Sequence, residues 1–208
     1  MKSWRPVVLL LAMISFQNGA ASAFDREIFA ARRKALFDRL DKTSAVLVPG
    51  EFEKELDTFR QGNNFYYLTG VEQPNLLLLL SPLARSPQSL YLPARNLAEG
   101  YMSEAWTGAK LGPGPETASL TGIGAALDRT AFDETFAALA DGLECLYFDF
   151  TPAALDGPVS ASEVLLRRIR ERNPHLRILP LSRLIDSLRV VKDSTEIATI
   201  QKATDITG

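Results

Sequence analysis

The chain has 208 residues, 46% of them hydrophobic and 23% charged, a balance that belongs to a folded globular protein rather than a disordered one. A formal net charge of −2 and a pI near 5.6 exclude the broadly basic face of a nucleic-acid binder. The densest basic stretch, residues 167–172, is broken by Ile169 and Glu171 and reads as a solvated helix face. One compact domain is the expectation.

Residues 1–23 read as an export signal: Lys2 and Arg5 form a positive start, residues 7–16 are apolar but too short to span a bilayer, and Ala21-Ser22-Ala23 offers a small-x-small cleavage site. Cleavage after Ala23 leaves Phe24 as the mature N-terminus and implies a periplasmic or secreted protein; an uncleaved membrane anchor is the alternative. Cys145, the only cysteine, excludes an intramolecular disulfide, and its neighbours Leu143 and Leu146 mark it as a buried, unreactive thiol.

Over residues 25–40 the positions Ile28, Phe29, Leu36, Phe37 and Leu40 share one helical face, with Asp25 as cap and Arg32, Arg33 and Lys34 turned outward. Residues 45–48 read as a strand ended by Pro49-Gly50, and residues 65–68 as a second ended by Thr69-Gly70, which puts Tyr66 and Tyr67 on opposite faces. Residues 76–80, all leucine, predict a strand covered on both sides. Another strand is expected at 89–92, then a loop at 108–114 whose Gly112-Pro113-Gly114-Pro115 run cannot continue a helix.

Thr130 is placed to cap a helix through Leu139 with Phe132, Phe136 and Leu139 inward, followed by a strand at 143–150. Ser160 and Glu163 form a capping box for a helix at 161–172, and Ile178-Leu179 a short strand. A second capping box, Asp193 with Glu196, starts a helix carrying Ile197, Ile200 and Ala203 on one side. The alternation defines an α/β fold, a mixed β-sheet flanked by helices. The apolar side of the last helix implies that it packs on something further along the chain or elsewhere.

Residues able to carry chemistry are few. His175, the only histidine, follows Asn173-Pro174 in a turn and reads as a surface residue. Glu53, Glu55 and Asp57 lie close together, but the flanking Phe52, Leu56 and Phe59 make them the solvated side of a loop. A dinuclear metal site needs converging carboxylates and usually an imidazole, so no metal-binding or catalytic residue is assigned.

Four segments in order resemble the N-terminal domain of aminopeptidase P, the metallopeptidase family that removes an N-terminal residue preceding proline. They are Phe29, Arg32, Arg33 and Leu36 in the first helix; the run from Phe59-Arg60-Gln61 through Gly70 to Glu72-Gln73-Pro74; Glu104-Ala105-Trp106-Thr107-Gly108 with Leu111-Gly112; and Arg189-Val190-Val191-Lys192-Asp193-Ser194 with Glu196-Ile197 and Ala203. The resemblance implies a ribonuclease H-like α/β domain at 24–188. It makes residues 189–208 the linker and first helix of a pita-bread catalytic domain, in which two metal ions, commonly manganese, are held by two Asp, one His and two Glu beyond position 208.

The resemblance therefore implies a non-catalytic domain of an exported Xaa-Pro aminopeptidase, walling the substrate groove and supporting subunit assembly. The expected partners are proline-containing peptides, its own catalytic domain and further copies in a homo-oligomer; nucleic acid is not among them, nor is a membrane after signal cleavage. Trp106 is the first candidate substrate-binding residue, since an indole face stacks on a pyrrolidine ring; the competing assignment is a core tryptophan. Arg60 is the second, able to meet a carboxylate by paired hydrogen bonds, or else to form an internal salt bridge. Thr107 stands where bacterial members often carry a larger residue, so the groove can differ in shape. Two other readings remain: a stand-alone binding or oligomerisation module, and the N-terminal half of a prolidase.

Overall fold

In the computed structural model, residues 23–52, 59–95, 111–150 and 156–207 are described. Six strands form one sheet: β1 (Ser44–Pro49), β2 (Leu77–Leu80), β3 (Gln88–Leu92), β4 (Ala125–Asp128), β5 (Cys145–Phe148) and β6 (Arg177–Pro180), in the order β4-β3-β2-β1-β5-β6. The β1/β2 and β2/β3 pairs are antiparallel, and β3/β4, β1/β5 and β5/β6 are parallel. The helices are α1 (Ala23–Phe37), α2 (Asn63–Thr69), α3 (Pro115–Thr121), α4 (Phe132–Ala140), α5 (Ala161–Arg172), α6 (Ser182–Val190) and α7 (Ser194–Thr207).

The leucine run explains the layering. Because successive strand residues point to opposite faces, Leu78 and Leu80 join Val46, Val48, Leu90 and Leu92 on one side, against Leu36 of α1, Phe65 and Leu68 of α2 and Ile185 of α6. Leu77 and Leu79 join Ala45, Leu47, Leu146 and Phe148 on the other, against Phe132 and Phe136 of α4 and Ile169 of α5. All four residues of β2 are buried, as continuous hydrophobicity requires.

Several expectations are corrected. Residues 65–68 are helical, not extended: Phe65, Leu68 and Thr69 are buried at i, i+3 and i+4, and Gly70, at φ 67°, ends α2 with its N–H donating to the Tyr66 carbonyl at 2.8 Å. Tyr66 is 44% exposed and Tyr67 8%, so one is buried and the other free, through helical rather than strand geometry. The cap before α4 is Asp128, which accepts from the Thr130 N–H at 2.8 Å and opens a 3₁₀ turn, Arg129–Ala131.

Arg33 does not face outward but is fully buried, and the Arg32 side chain is only 12% exposed; Lys34 alone is turned to solvent. The capping boxes at Ser160/Glu163 and Asp193/Glu196 are both formed. Cys145 is buried, and His175 lies at the surface with Nε2 3.0 Å from the Ala140 carbonyl oxygen.

Candidate functional site

On the α1/α2 side of the sheet a cleft of about 800 Å³ opens between α1, residues 60–72 and the start of α7. Gln61 lines it and is fastened through a second glutamine, Gln73. Gln61, buried between strand ends, accepts from the Glu51 and Gly62 N–H groups at 2.7 and 2.9 Å and donates to the Gln73 carbonyl at 2.8 Å. Gln73 in turn donates to the Leu111 carbonyl and accepts from its N–H, both at 2.9 Å. Each amide therefore replaces several backbone partners that a loop lacks, which holds residues 59–73 against the sheet without a strand.

The cleft's far wall is the exit of the chain into α7. Arg32 donates to the Asp193 carboxylate through Nε at 3.1 Å and through Nη2, pairs with Glu196 at 3.5 Å, and donates to the Tyr67 carbonyl at 3.2 Å. Its guanidinium carbon lies 4.2 Å from the centre of the Tyr67 ring, and that of Arg189 lies 5.6 Å from the same ring. Burial alone would raise the Asp193 carboxyl. The Glu196 N–H and the Arg32 guanidinium outweigh it and hold the group below the usual carboxylate range.

A relay extends the wall to the sheet. Arg189 donates to the Asn64 Oδ1 at 2.6 Å, and Asn64 Nδ2 donates to Asp149 at 2.9 Å. Burial at the carboxyl end of β5 pushes Asp149 above its ordinary value despite that donor. Asn64 thus turns one amide between a cation and a desolvated carboxyl, fixing α2 between β5 and α6.

Of the two candidate substrate residues, Arg60 is exposed and lines the cleft beside Tyr66; among the described residues it forms no salt bridge. Trp106 and Thr107 lie outside the described residues, as do Glu53, Glu55 and Asp57. Sequence reasoning missed Arg32, Asn64, Tyr67 and Arg189, because their partners are residues far away in sequence. Among the described residues, no three of His, Cys, Asp and Glu converge to hold a metal ion; the cleft presents guanidinium, ammonium, carboxylate, aromatic and amide groups.

A family model described as aminopeptidase P, N-terminal domain, matches residues 29–147. A Xaa-Pro aminopeptidase of Escherichia coli K12 is 25% identical over 203 residues, covering 90% of this chain and 44% of that protein. One from Haemophilus influenzae is 28% identical over 192 residues, covering 88% and 41%. The chain therefore spans less than half the length of these relatives. Among solved structures, a protein assigned as an aminopeptidase P from Bacillus anthracis superposes with a TM-score of 0.72 at 24% identity over 85% of this chain and 43% of that one. The zinc-substituted E. coli aminopeptidase P in complex with product gives 0.68 at 24% identity over 88% and 42%.

Proposed function

The chain belongs to the family of aminopeptidase P N-terminal domains, and from that premise we propose that it serves as the non-catalytic N-terminal part of an exported Xaa-Pro aminopeptidase. The observation that carries the reading is the cleft. Its one wall is the 59–73 segment that bears the family-like signature, and its other wall is the chain's exit into α7. A peptide lying there meets exposed Arg60 and Tyr66 on the side of the domain from which the chain leaves.

In this reading residues 24–188 form the domain and residues 189–208 lead into a catalytic domain, which supplies the metal ions, manganese in the family, and the hydrolytic step. Arg60 and Trp106 act as substrate contacts, the guanidinium toward a peptide carboxylate and the indole toward the proline ring. Export to the periplasm or beyond follows from residues 1–23, and assembly into a homo-oligomer brings the groove of one subunit to the site of another.

The test is cleavage of an X-Pro peptide by the complete gene product, with the 208-residue chain alone in parallel. We expect manganese-dependent cleavage by the former and none by the latter; activity in the isolated chain, or in neither, overturns the reading. In the active protein, Arg60→Ala and Trp106→Ala should raise KM more than they lower kcat. Unchanged KM in both would remove them from the groove.

A further inference from the structure

On the opposite side of the sheet, a second cavity of about 540 Å³ lies between α4 and α5. Its floor is apolar: Phe132 and Phe136, with ring centres 5.5 Å apart, beside Leu165 and Ile169. Its rim is cationic. Arg129 and Arg172 line it with Arg168, while Asp133 and Asp141 are the acids present.

The charges are unequally spent. Asp133 is occupied by Arg172, whose Nη1 donates to both carboxylate oxygens at 2.8 and 2.9 Å. Asp141 sits at the other end of α4 from Arg129. Arg129 is half-buried with its guanidinium carbon 5.5 Å from the centre of the Phe132 ring. Among the described residues neither Arg129 nor Arg168 has an acidic or hydrogen-bonding partner. Burial lowers the pKa of Arg129, the mark of a cation losing water without gaining an anion. A guanidinium in that condition gains more from an incoming carboxylate than a fully solvated one does.

We propose that this groove binds a small amphiphilic anion, an acidic head on an aromatic or short aliphatic body, with the head between Arg129 and Arg168 and the body over Phe132, Phe136 and Leu165. The volume favours a small molecule, since small-ligand sites commonly occupy about 300–1,000 Å³ and combine an apolar lining with few polar groups. The site is separated from the cleft by the sheet and does not depend on peptidase function.

The probe is 8-anilinonaphthalene-1-sulfonate, read by fluorescence on the full chain, with its neutral counterpart N-phenyl-1-naphthylamine in parallel. Saturable sulfonate binding should weaken by about tenfold in Arg129→Gln and again in Arg168→Gln, since each substitution removes one charge-assisted hydrogen bond to the head. The neutral probe should bind all three proteins alike. Far-ultraviolet circular dichroism checks that the variants are folded. Amide chemical-shift changes caused by the sulfonate should cluster in residues 129–141 and 161–173. Absent saturation, equal sulfonate affinity in folded variants, or shifts concentrated around α1 and α7 would each overturn the proposal. So would binding of an acidic aromatic peptide, but not the sulfonate, in the same groove, since that would make it a peptide site.

Discussion

The two faces of the sheet are held by different physics. On the cleft face, apolar packing is interwoven with buried polar groups, and the central one is Arg33. Its Nε donates to Gln88 Oε1 at 2.9 Å, Nη1 to the Leu68 carbonyl at 2.8 Å, and Nη2 to the Thr121 and Gly122 carbonyls at 3.3 and 2.8 Å. No carboxylate is among these acceptors; the carbonyls belong to the C-terminal ends of α2 and α3, where helix dipoles concentrate negative potential. Burial lowers the Arg33 pKa to about 10, which still leaves it charged at neutral pH. The opposite face packs the rings of Tyr91, Phe132, Phe136 and Phe148 among aliphatic side chains, with Tyr91 edge-on to Phe132 at 5.2 Å. The cleft face thus trades ease of packing for directional bonds that fix loops, while the core of the other face relies chiefly on apolar area, with the Arg172–Asp133 pair at its exposed rim.

The largest effect should come from removing Arg33. Arg33→Met keeps the apolar stem but leaves the Leu68, Thr121 and Gly122 carbonyls without their donor, a loss of about 4 kcal/mol by analogy with broken buried charge networks. Urea denaturation should show it as a much lower midpoint. A loss below about 1 kcal/mol would mean that water substitutes for the guanidinium and would dissolve the contrast between faces. Next is Gly70→Ala: a Cβ there would run into the Phe29 ring at a φ of 67°. Left-handed strain and the displaced ring together should cost about 2–3 kcal/mol, and Phe29→Ala in the same chain should relieve the steric part.

The same contrast explains what can be read from sequence. The ring-packed face is legible: β2, β5, the inward Phe132 and Phe136, and the Ser160 capping box all follow from local periodicity and local hydrogen bonds. Arg33 is not, because four acceptors supplied by residues 35 to 89 positions away decide its burial, and nothing near it in sequence distinguishes it from Lys34. The α2 helix reads as a strand because Phe65, Tyr66 and Tyr67 favour strands, while its actual signals, Gly70 and the Phe65/Leu68/Thr69 spacing, are few in a seven-residue helix. Helices α3 and α6 escape the sequence reading although Pro115 at N1, and Leu181, Leu184, Ile185 and Leu188 at helical spacing, announce them. In the cleft, Arg60 is reachable from the motif, whereas the Arg32, Tyr67 and Arg189 grouping exists only after folding.

A smaller effect tests how far the polar fastening extends into α7. Asp193→Ala removes the cap and the Arg32 pair at once and should cost about 1 kcal/mol, concentrated as faster amide exchange in α7. Asp193→Asn can keep the cap through Oδ1 but replaces Oδ2, the acceptor of the Arg32 bonds, with a donor, and so deletes the ion pair with its hydrogen bonds. Because the folded carboxyl is held below its ordinary value, its contribution is present above the unfolded pKa and disappears as pH falls through the folded one. The wild type should therefore exceed Asp193→Asn at pH 7, and the gap should close in acid below about pH 4. No gap between the two at pH 7 would assign the stabilisation to the cap rather than the ion pair.

The smallest effect belongs to the ring-packed face. The Tyr91 side chain is fully buried and, among the described residues, its hydroxyl makes no hydrogen bond of good geometry; the Thr135 and Ser89 hydroxyls stand near it, but Thr135 donates to the Ala131 carbonyl at 2.8 Å. A buried hydroxyl that meets its neighbours only in poor geometry has given up its water for little, so Tyr91→Phe removes a desolvation cost together with one oxygen. The two terms oppose each other, because the vacated volume weakens packing against Phe132. The free energy of unfolding, read by thermal denaturation, should stay within about 0.5 kcal/mol of the wild type or rise slightly. A drop of about 2 kcal/mol or more would mean that the Ser89 or Thr135 hydroxyl, or a buried water, bonds the Tyr91 hydroxyl, and would give this face the same directional fastening as the cleft face.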